Sequence, residues 1–251
     1  MNIKQLEDVD TKLMYKTYDS WPRIAKESFE SKFEELNLER IDHIIFTGMG
    51  GSGTIGDVIR DVLSKESIHV TITKGYILPK TVDSNALVVI TSVSGNTEET
   101  LTILKQAVET DAKIIVFSSG GKIEEYCSER NVFYQKILME HSPRASLGKY
   151  LFSILNILSN LIPLTREDIL ESIKLLDETQ LKIFSSNINE ENISLNIAKW
   201  IKNTPIIYYP RGLYSVATRF KNSLQENAKI HVISEELFEA CHNGIVAWRR
   251  N

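Results

Sequence analysis

Short apolar runs alternate with amphipathic segments along most of the chain, and this alternation begins after residue 40. Residues 42–47 form an apolar run, a glycine cluster follows at 48–53, and the next stretch has helically spaced apolar side chains. The same order continues, with strands predicted at 68–73, 86–91, 113–117 and 132–137 and helices at 97–110 and after Gly121. Strands alternating with amphipathic helices indicate βαβ units around a parallel sheet, so the fold class is α/β.

Helical patterns flank these units. The first 40 residues predict two short helices with a break at Trp21 and Pro22. Residues 146–184 also predict helix, with Pro163 separating two segments and Thr165, followed by Asp168, capping the second. A polar stretch at 185–192 resembles a linker.

The alternation then starts again in the last sixty residues. It predicts a strand at 205–209, a helix at 213–227, a strand at 229–233 and a final strand in the apolar run 244–248. Residues 44–46 with Gly50 align at constant offset with residues 206–208 and Gly212, which leaves an internal duplication open. We expect two domains, residues 1–166 and 167–251. The second is predicted to be truncated at its C-terminus, because no helix follows the last strand.

Composition excludes several classes of protein. The 251 residues are 42% hydrophobic and 25% charged, which is typical of globular proteins and not of collagen-like, disordered or coiled-coil chains. No apolar run is long enough to span a membrane, and the N-terminus lacks the apolar segment of a signal peptide. A net charge of −4 does not favour binding to nucleic acid. Cys127 and Cys241 have no metal-ligand spacing and are predicted to be reduced thiols, so we expect a cytoplasmic protein.

The glycine cluster is the first candidate anion site. Its sequence GMGGSG at 48–53 matches the pattern GxGxxG, in which backbone N–H groups at a helix start bind phosphate. A dinucleotide-binding fold also needs an acidic residue about 20 positions further on, at the end of the second strand. Lys74 follows that strand instead, which disfavours NAD and leaves NADP as the weaker alternative.

A second loop, TSVSGNTEET at 91–100, follows the apolar strand 86–91 and opens a helix. The hydroxyl groups of Ser92, Ser94 and Thr97 can converge with a glycine N–H on one small tetrahedral anion. A dinucleotide has no use for these hydroxyls. The alternative is purely structural: Ser94 or Asn96 caps the helix and Glu99 completes a capping box.

Five motifs together resemble a known family. GMGGSG at 48–53 and SVSGNTEET at 92–100 are similar to the phosphosugar-binding sequences of the sugar isomerase (SIS) domain family. The sequences SPRASL at 142–147, NSLQENAK at 222–229 and EACHN at 239–243 follow in the same order as in bifunctional phosphoglucose/phosphomannose isomerases. This resemblance implies two three-layer αβα domains of SIS type with flavodoxin-like parallel sheets, the second incomplete here. It also implies a homodimer and a phosphate site that includes Gly50, Gly51, Ser52, Ser92, Ser94 and Thr97.

The resemblance further implies isomerisation of glucose 6-phosphate and mannose 6-phosphate to fructose 6-phosphate through a cis-enediolate, with no cofactor and no metal. Glu226 matches the base, and its predicted place near a helix C-terminus favours proton uptake. His242 matches the ring-opening histidine, which the family takes from the neighbouring subunit. Arg144 matches the arginine that stabilises the enediolate.

The sequence departs from the family in two respects, and one other class of function is left open. The family's ring-opening lysine and the residue associated with mannose phosphate have no counterpart before Asn251, and Cys241 replaces a polar residue. The other class is a non-catalytic sugar-phosphate sensor. A sensor that acts as a regulator is expected to carry a helix-turn-helix or a basic face, which this sequence does not predict.

Overall fold

The computed structural model describes residues 2–249. A five-stranded parallel sheet with its helices forms the larger of two units and is called the first unit. The sheet runs in the order β2-β1-β3-β4-β5, and every neighbouring pair is parallel. The strands are β1 (His43–Thr47), β2 (His69–Thr73), β3 (Ala86–Ser92), β4 (Lys113–Ser118) and β5 (Phe133–Lys136). The predicted α/β class with flavodoxin-like strand order is therefore confirmed.

Helices cover both faces of this sheet because its strands carry apolar side chains on both faces. In β1, Ile44 and Phe46 face the hydrophobic core on one side of the sheet, the first core, whereas Ile45 faces the second core on the other side. The helices that follow the strands are α4 (Gly50–Val62), α5 (Glu98–Ala107) and α6 (Lys122–Arg130). Helix α4 packs into the first core, and helices α5 and α6 pack into the second.

The N-terminal segment has three helices instead of the predicted two: α1 (Ile3–Val9), α2 (Met14–Asp19) and α3 (Trp21–Glu30). The break expected at Trp21 and Pro22 lies at Ser20, between α2 and α3. Pro22 lies in the first turn of α3, where a missing N–H costs no hydrogen bond.

Two further helices complete the first core: α7 (Leu147–Ile157) and α8 (Arg166–Ile183). The predicted cap is confirmed, since Thr165 and Asp168 form a reciprocal capping box at the start of α8. Helix α8 packs against α3 and buries Ile169 and Ile173 in the first core. The domain boundary predicted after residue 166 thus falls at the start of a helix that packs on the first unit.

The second unit is a two-stranded parallel sheet with short helices. Its elements are α9 (Ile193–Trp200), β6 (Ile206–Tyr209), α10 (Tyr214–Ser223), a π-helical turn (Leu224–Ala228), β7 (Ile233–Glu236), α11 (Leu237–Glu239), a second π-helical turn (Ala240–Gly244) and α12 (Ile245–Ala247). The arrangement β6-α10-β7 repeats β1-α4-β2, and Gly212 and Gly50 both have positive φ at the equivalent turn.

Two strand predictions in this unit are wrong. The helix predicted at 213–227 corresponds to α10 and the π-helical turn, which ends at Ala228. The strand predicted at 229–233 begins only at Ile233, because Lys229 has a left-handed φ of 59° and residues 230–232 belong to no strand. The run 244–248 is not a strand: residues 245–247 are α12, in a helical segment that Glu236 caps. A short apolar run has no periodicity that separates strand from helix.

The two units contact each other through the equivalent helices α4 and α10. The Asp61 side chain accepts a hydrogen bond from the backbone N–H of Ser215 at 2.7 Å, and the Arg60 guanidinium lies 4.9 Å from the Tyr214 ring centroid. Lys74 pairs with the buried carboxylate of Asp57 in α4. Within residues 2–249, no helix has the length and apolarity that a membrane crossing requires.

Candidate active site

The strand order reverses between β1 and β3, and we call the region at the carboxyl ends of these two strands the crevice. The helix that follows β1 covers one face of the sheet and the helix that follows β3 covers the other, so the two chain segments leave this edge toward opposite faces. Open α/β sheets bind ligands at this point. Both loops singled out in the sequence border it.

The two loops touch each other. The backbone N–H of Val93, just after β3, donates a hydrogen bond to Ser52 Oγ in α4 at 3.4 Å. Gly48 also lies against the second loop, since a β-carbon at this position would be 2.9 Å from the Thr91 carbonyl oxygen. Glycine therefore permits the close approach of the loops, and Ser52 faces the Ser92–Thr97 segment.

Two of the three hydroxyl groups expected to converge in the second loop contact each other, and the third bonds to the loop backbone. Ser92 Oγ donates to Thr97 Oγ1 at 3.2 Å, and Ser94 Oγ accepts from the backbone N–H of Asn96 at 3.4 Å. Gly95 shapes the loop, because its φ is +68° and a β-carbon would collide with the Gly120 carbonyl oxygen. The Ser92 side chain is buried, whereas Ser94 is exposed at the crevice.

Neither helix start at the crevice has a side-chain cap. Met49 precedes α4 and Thr97 precedes α5, and neither side chain accepts a hydrogen bond from the first turn. The capping role considered for Ser94 or Asn96 with Glu99 is therefore wrong. Backbone N–H groups and helix dipoles at both starts remain available to an anion, as do the hydroxyls of Ser52 and Ser94.

Two of the three predicted catalytic residues come together beside this crevice. Arg144 lies in the 3-10 turn Pro143–Ser146, and Glu226 lies in the π-helical turn after α10. Arg144 Nη1 is 3.4 Å from Glu226 Oε2, and both side chains are about one-third exposed (35% and 36%). A β-carbon at Gly51 would lie 3.8 Å from Arg144 Cα, so the pair borders the glycine loop.

The third predicted residue, His242, is not part of this cluster within one chain. It lies in the exposed π-helical turn after α11, and no hydrogen bond or ion pair among residues 2–249 joins it to Arg144 or Glu226. Cys241 beside it is exposed, and Cys127 is buried in the second core. Burial raises the pKa of the Cys127 thiol to about 11, so it stays protonated.

Sequence reasoning missed two residues that support Arg144. Arg219 Nη2 donates to the Arg144 carbonyl oxygen at 2.7 Å, and Trp21 Nε1 donates to the next carbonyl oxygen, that of Ala145, at 2.9 Å. The spacing of Arg219 and Glu226, seven residues apart on one helix, was the available signal. It places both side chains on the face that meets the first unit.

Comparison with known proteins gives the family. Residues 37–161 match the SIS domain family, and residues 190–251 match the family described as "Bacterial phospho-glucose isomerase C-terminal SIS domain". The chain is similar to a solved C-terminal domain of glucosamine-fructose-6-phosphate aminotransferase from Francisella tularensis, with a TM-score of 0.68, 17% identity and coverage of 93% of this chain and 72% of that one.

Curated relatives are more similar in sequence. A bifunctional phosphoglucose/phosphomannose isomerase from Caldicellulosiruptor bescii is 34% identical over 93% of this chain and 71% of its own length. A D-glucosamine-6-phosphate 4-epimerase from Sulfolobus acidocaldarius is 28% identical over 92% of this chain and 72% of its own length. Across such relatives the chain spans 62–72% of their length. On this similarity, the chain belongs to the bifunctional phosphoglucose/phosphomannose isomerase family.

Proposed function

We propose that this chain carries the catalytic groups of an aldose–ketose isomerase that interconverts glucose 6-phosphate and mannose 6-phosphate with fructose 6-phosphate through a cis-enediolate. The observation that carries the proposal is the distance of 3.4 Å between Arg144 Nη1 and Glu226 Oε2. This pair lies beside the crevice, where two helix starts without a side-chain cap can bind a phosphate. A base, a permanent cation and an anion site are the groups that this reaction requires.

In this proposal the crevice binds the substrate phosphate. Ser52, Ser94 and Thr97 donate from their hydroxyls, Ser92 supports Thr97, and the backbone N–H groups of Gly50 and Gly51 donate from the first turn of α4. Hydrogen bonds to a doubly charged phosphate are stronger than those between neutral groups. The phosphate therefore fixes one end of the sugar and leaves its C1 and C2 atoms to be placed beside Arg144 and Glu226.

Proton transfer is assigned to Glu226. Its carboxylate takes the proton from C2 of the aldose, the electron pair of that C–H bond forms the C1–C2 double bond of the enediolate, and the π electron pair of the C1 carbonyl moves to O1. The guanidinium of Arg144 stabilises the negative charge that develops on the oxygen atoms. Return of the proton to C1, with transfer of the C2 hydroxyl proton to O1, gives the ketose, so no net proton is consumed.

His242 completes the proposal as the residue that opens the sugar ring. Because it is exposed and separate from Arg144 and Glu226, we assign it to the site of a second copy of the chain, which makes the proposed active unit a homodimer. The two free cysteines support a reducing compartment, and we propose the cytoplasm.

The test is incubation of the chain with fructose 6-phosphate in deuterium oxide, followed by NMR of the products. We expect glucose 6-phosphate and mannose 6-phosphate with deuterium at C2. Glu226→Gln should lose this exchange while it still binds fructose 6-phosphate in calorimetry. Glu98→Gln is the control, because Glu98 is exposed beside the crevice and pairs with Lys122 at 3.8 Å.

Other outcomes identify other functions. Binding without proton exchange by the unsubstituted chain would make it a sugar-phosphate sensor. A product inverted at C4 would indicate an epimerase. Normal exchange by Glu226→Gln would remove the base from the proposal.

A further inference from the structure

We propose that Arg219 is a positioning residue that holds the turn carrying Arg144 in its reactive orientation and couples this turn to the second unit. The inference deepens the proposed function and rests on it. Arg219 donates through Nη2 to the Arg144 carbonyl oxygen at 2.7 Å. The residue thus acts on the backbone of Arg144, whereas Glu226 contacts its guanidinium.

Helix α10 with its π-helical extension therefore contacts residue 144 at two points. Arg219 reaches its carbonyl group and Glu226, seven residues later, reaches its side chain. Any shift of this helix relative to the first sheet moves both contacts together. The position of this one helical element therefore sets the distance between the proposed base, Glu226, and the proposed cation, Arg144.

A second side chain, next to Arg219, also holds the turn. Trp21 in α3 donates to the Ala145 carbonyl oxygen at 2.9 Å, and its ring lies 5.8 Å from the Arg219 guanidinium carbon. Consecutive carbonyl groups thus accept from two different elements. The ring and guanidinium also limit each other's motion.

The environment of Arg219 fits a functional constraint better than a generic surface arginine. Its Nη1 is buried and has no hydrogen-bond partner among residues 2–249, and it would lie 3.8 Å from a β-carbon at Gly51. A buried donor without a protein partner is costly, and a bound anion can satisfy it. The Gly51 loop is also where the substrate phosphate is proposed to bind.

The first test does not depend on activity. Amide hydrogen exchange is measured at Ala145 and Ser146, whose N–H groups donate to the Ser142 carbonyl oxygen at 3.0 and 3.1 Å. Loss of one charge-assisted bond in Arg219→Gln should speed this exchange roughly tenfold. Arg219→Lys should give an intermediate effect, and Lys221→Gln on the same helix should give none. Unchanged protection in Arg219→Gln would overturn the proposal.

The second test uses the isomerase reaction. Arg219→Gln should lower kcat at least about tenfold and leave the KM for fructose 6-phosphate within about threefold, because the substrate contacts stay in place. Arg219→Lys should recover part of kcat. A loss confined to KM would overturn the positioning role. If the unsubstituted chain has no activity, the proposed function fails, and the exchange experiment still decides whether Arg219 orders the turn.

Discussion

Arg144 Nη1 lies 3.4 Å from Glu226 Oε2, although the two residues are 82 positions apart and belong to different units of the fold. Neither unit alone brings a base and a cation to the crevice. The packing of α10 against α4 is therefore what assembles the candidate site.

This ion pair is expected to matter for activity and not for stability. Both side chains are about one-third exposed, and pairs of this kind contribute less than about 1 kcal/mol. Arg144→Lys should therefore leave the free energy of unfolding nearly unchanged in urea. Isomerase kcat should fall on the order of a hundredfold, because lysine cannot present the planar fork of donors to the enediolate. A large drop in stability with normal kcat would reverse this assignment.

The phosphate loops give a second prediction, which concerns affinity. Removal of one hydroxyl from the crevice by Ser94→Ala or Ser52→Ala should weaken fructose 6-phosphate binding about tenfold, since each loses one hydrogen bond to a charged group. Calorimetry with fructose 6-phosphate and with inorganic phosphate measures the change. Ser159→Ala is the matched control, because Ser159 is exposed at the end of α7. Equal affinities for all three variants would place the phosphate elsewhere.

A third prediction concerns the backbone of the second loop. Gly95→Ala forces a β-carbon onto the Gly120 carbonyl oxygen at a φ of +68°, so we expect a loss of at least about 2 kcal/mol in the free energy of unfolding. Gly244→Ala is the control. Gly244 has a helical φ of −64°, and its nearest neighbours stand 3.5 Å from a new β-carbon. Thermal unfolding should show no loss for this second variant.

The sequence predicted the larger unit well because local and tertiary signals agree there. Its three central strands β1, β3 and β4 are short apolar runs, and the loops at Gly48 and Gly95 carry glycine where close packing demands it. The second unit was harder, because its strands are short and half-exposed. β7 begins four residues later than predicted, because Lys229 has a left-handed φ and residues 230–232 belong to no strand, and nothing in the local pattern indicates this connection.

The candidate site was predictable only in part for a similar reason. Motifs identified Arg144 and Glu226, but their contact depends on how two units pack. Arg219 and Trp21 act through backbone carbonyl groups, and a carbonyl acceptor is present at every residue. No pattern of side chains in the sequence indicates which carbonyl accepts them.

A pair of histidines at the other end of the sheet gives a fourth prediction, on pH. The rings of His43 and His69 are 4.4 Å apart, and His43 Nε2 lies 2.8 Å from Thr71 Oγ1. Burial, and then the neighbouring His69, lower the pKa of His43, although Asp42, Asp83 and the Thr81 backbone act in the opposite direction. The unfolded chain therefore binds a proton more readily than the folded one.

Stability from this site should be complete above the ordinary histidine pKa of about 6.5 and should fall as the pH drops below it. Urea unfolding between pH 8 and pH 5 measures the slope. His43→Gln should flatten the slope even where it lowers stability overall, whereas His231→Gln, at an exposed position, should keep it. An unchanged slope in His43→Gln would assign the pH dependence to other groups.

The last prediction concerns the exposed His242 and the proposed homodimer. Chains with Glu226→Gln and chains with His242→Ala should each be nearly inactive alone. If each site combines Glu226 of one chain with His242 of the other, a mixed dimer contains one intact site and one doubly altered site. Since random exchange makes half of the dimers mixed, about a quarter of the normal activity should return. Mixing Glu226→Gln with Arg144→Lys is the control: Arg144 and Glu226 meet within one chain, so neither site of that mixed dimer is intact and no recovery is expected. Absence of recovery in the first mixture, with subunit exchange shown by native mass spectrometry, would mean that His242 does not act in the partner's site.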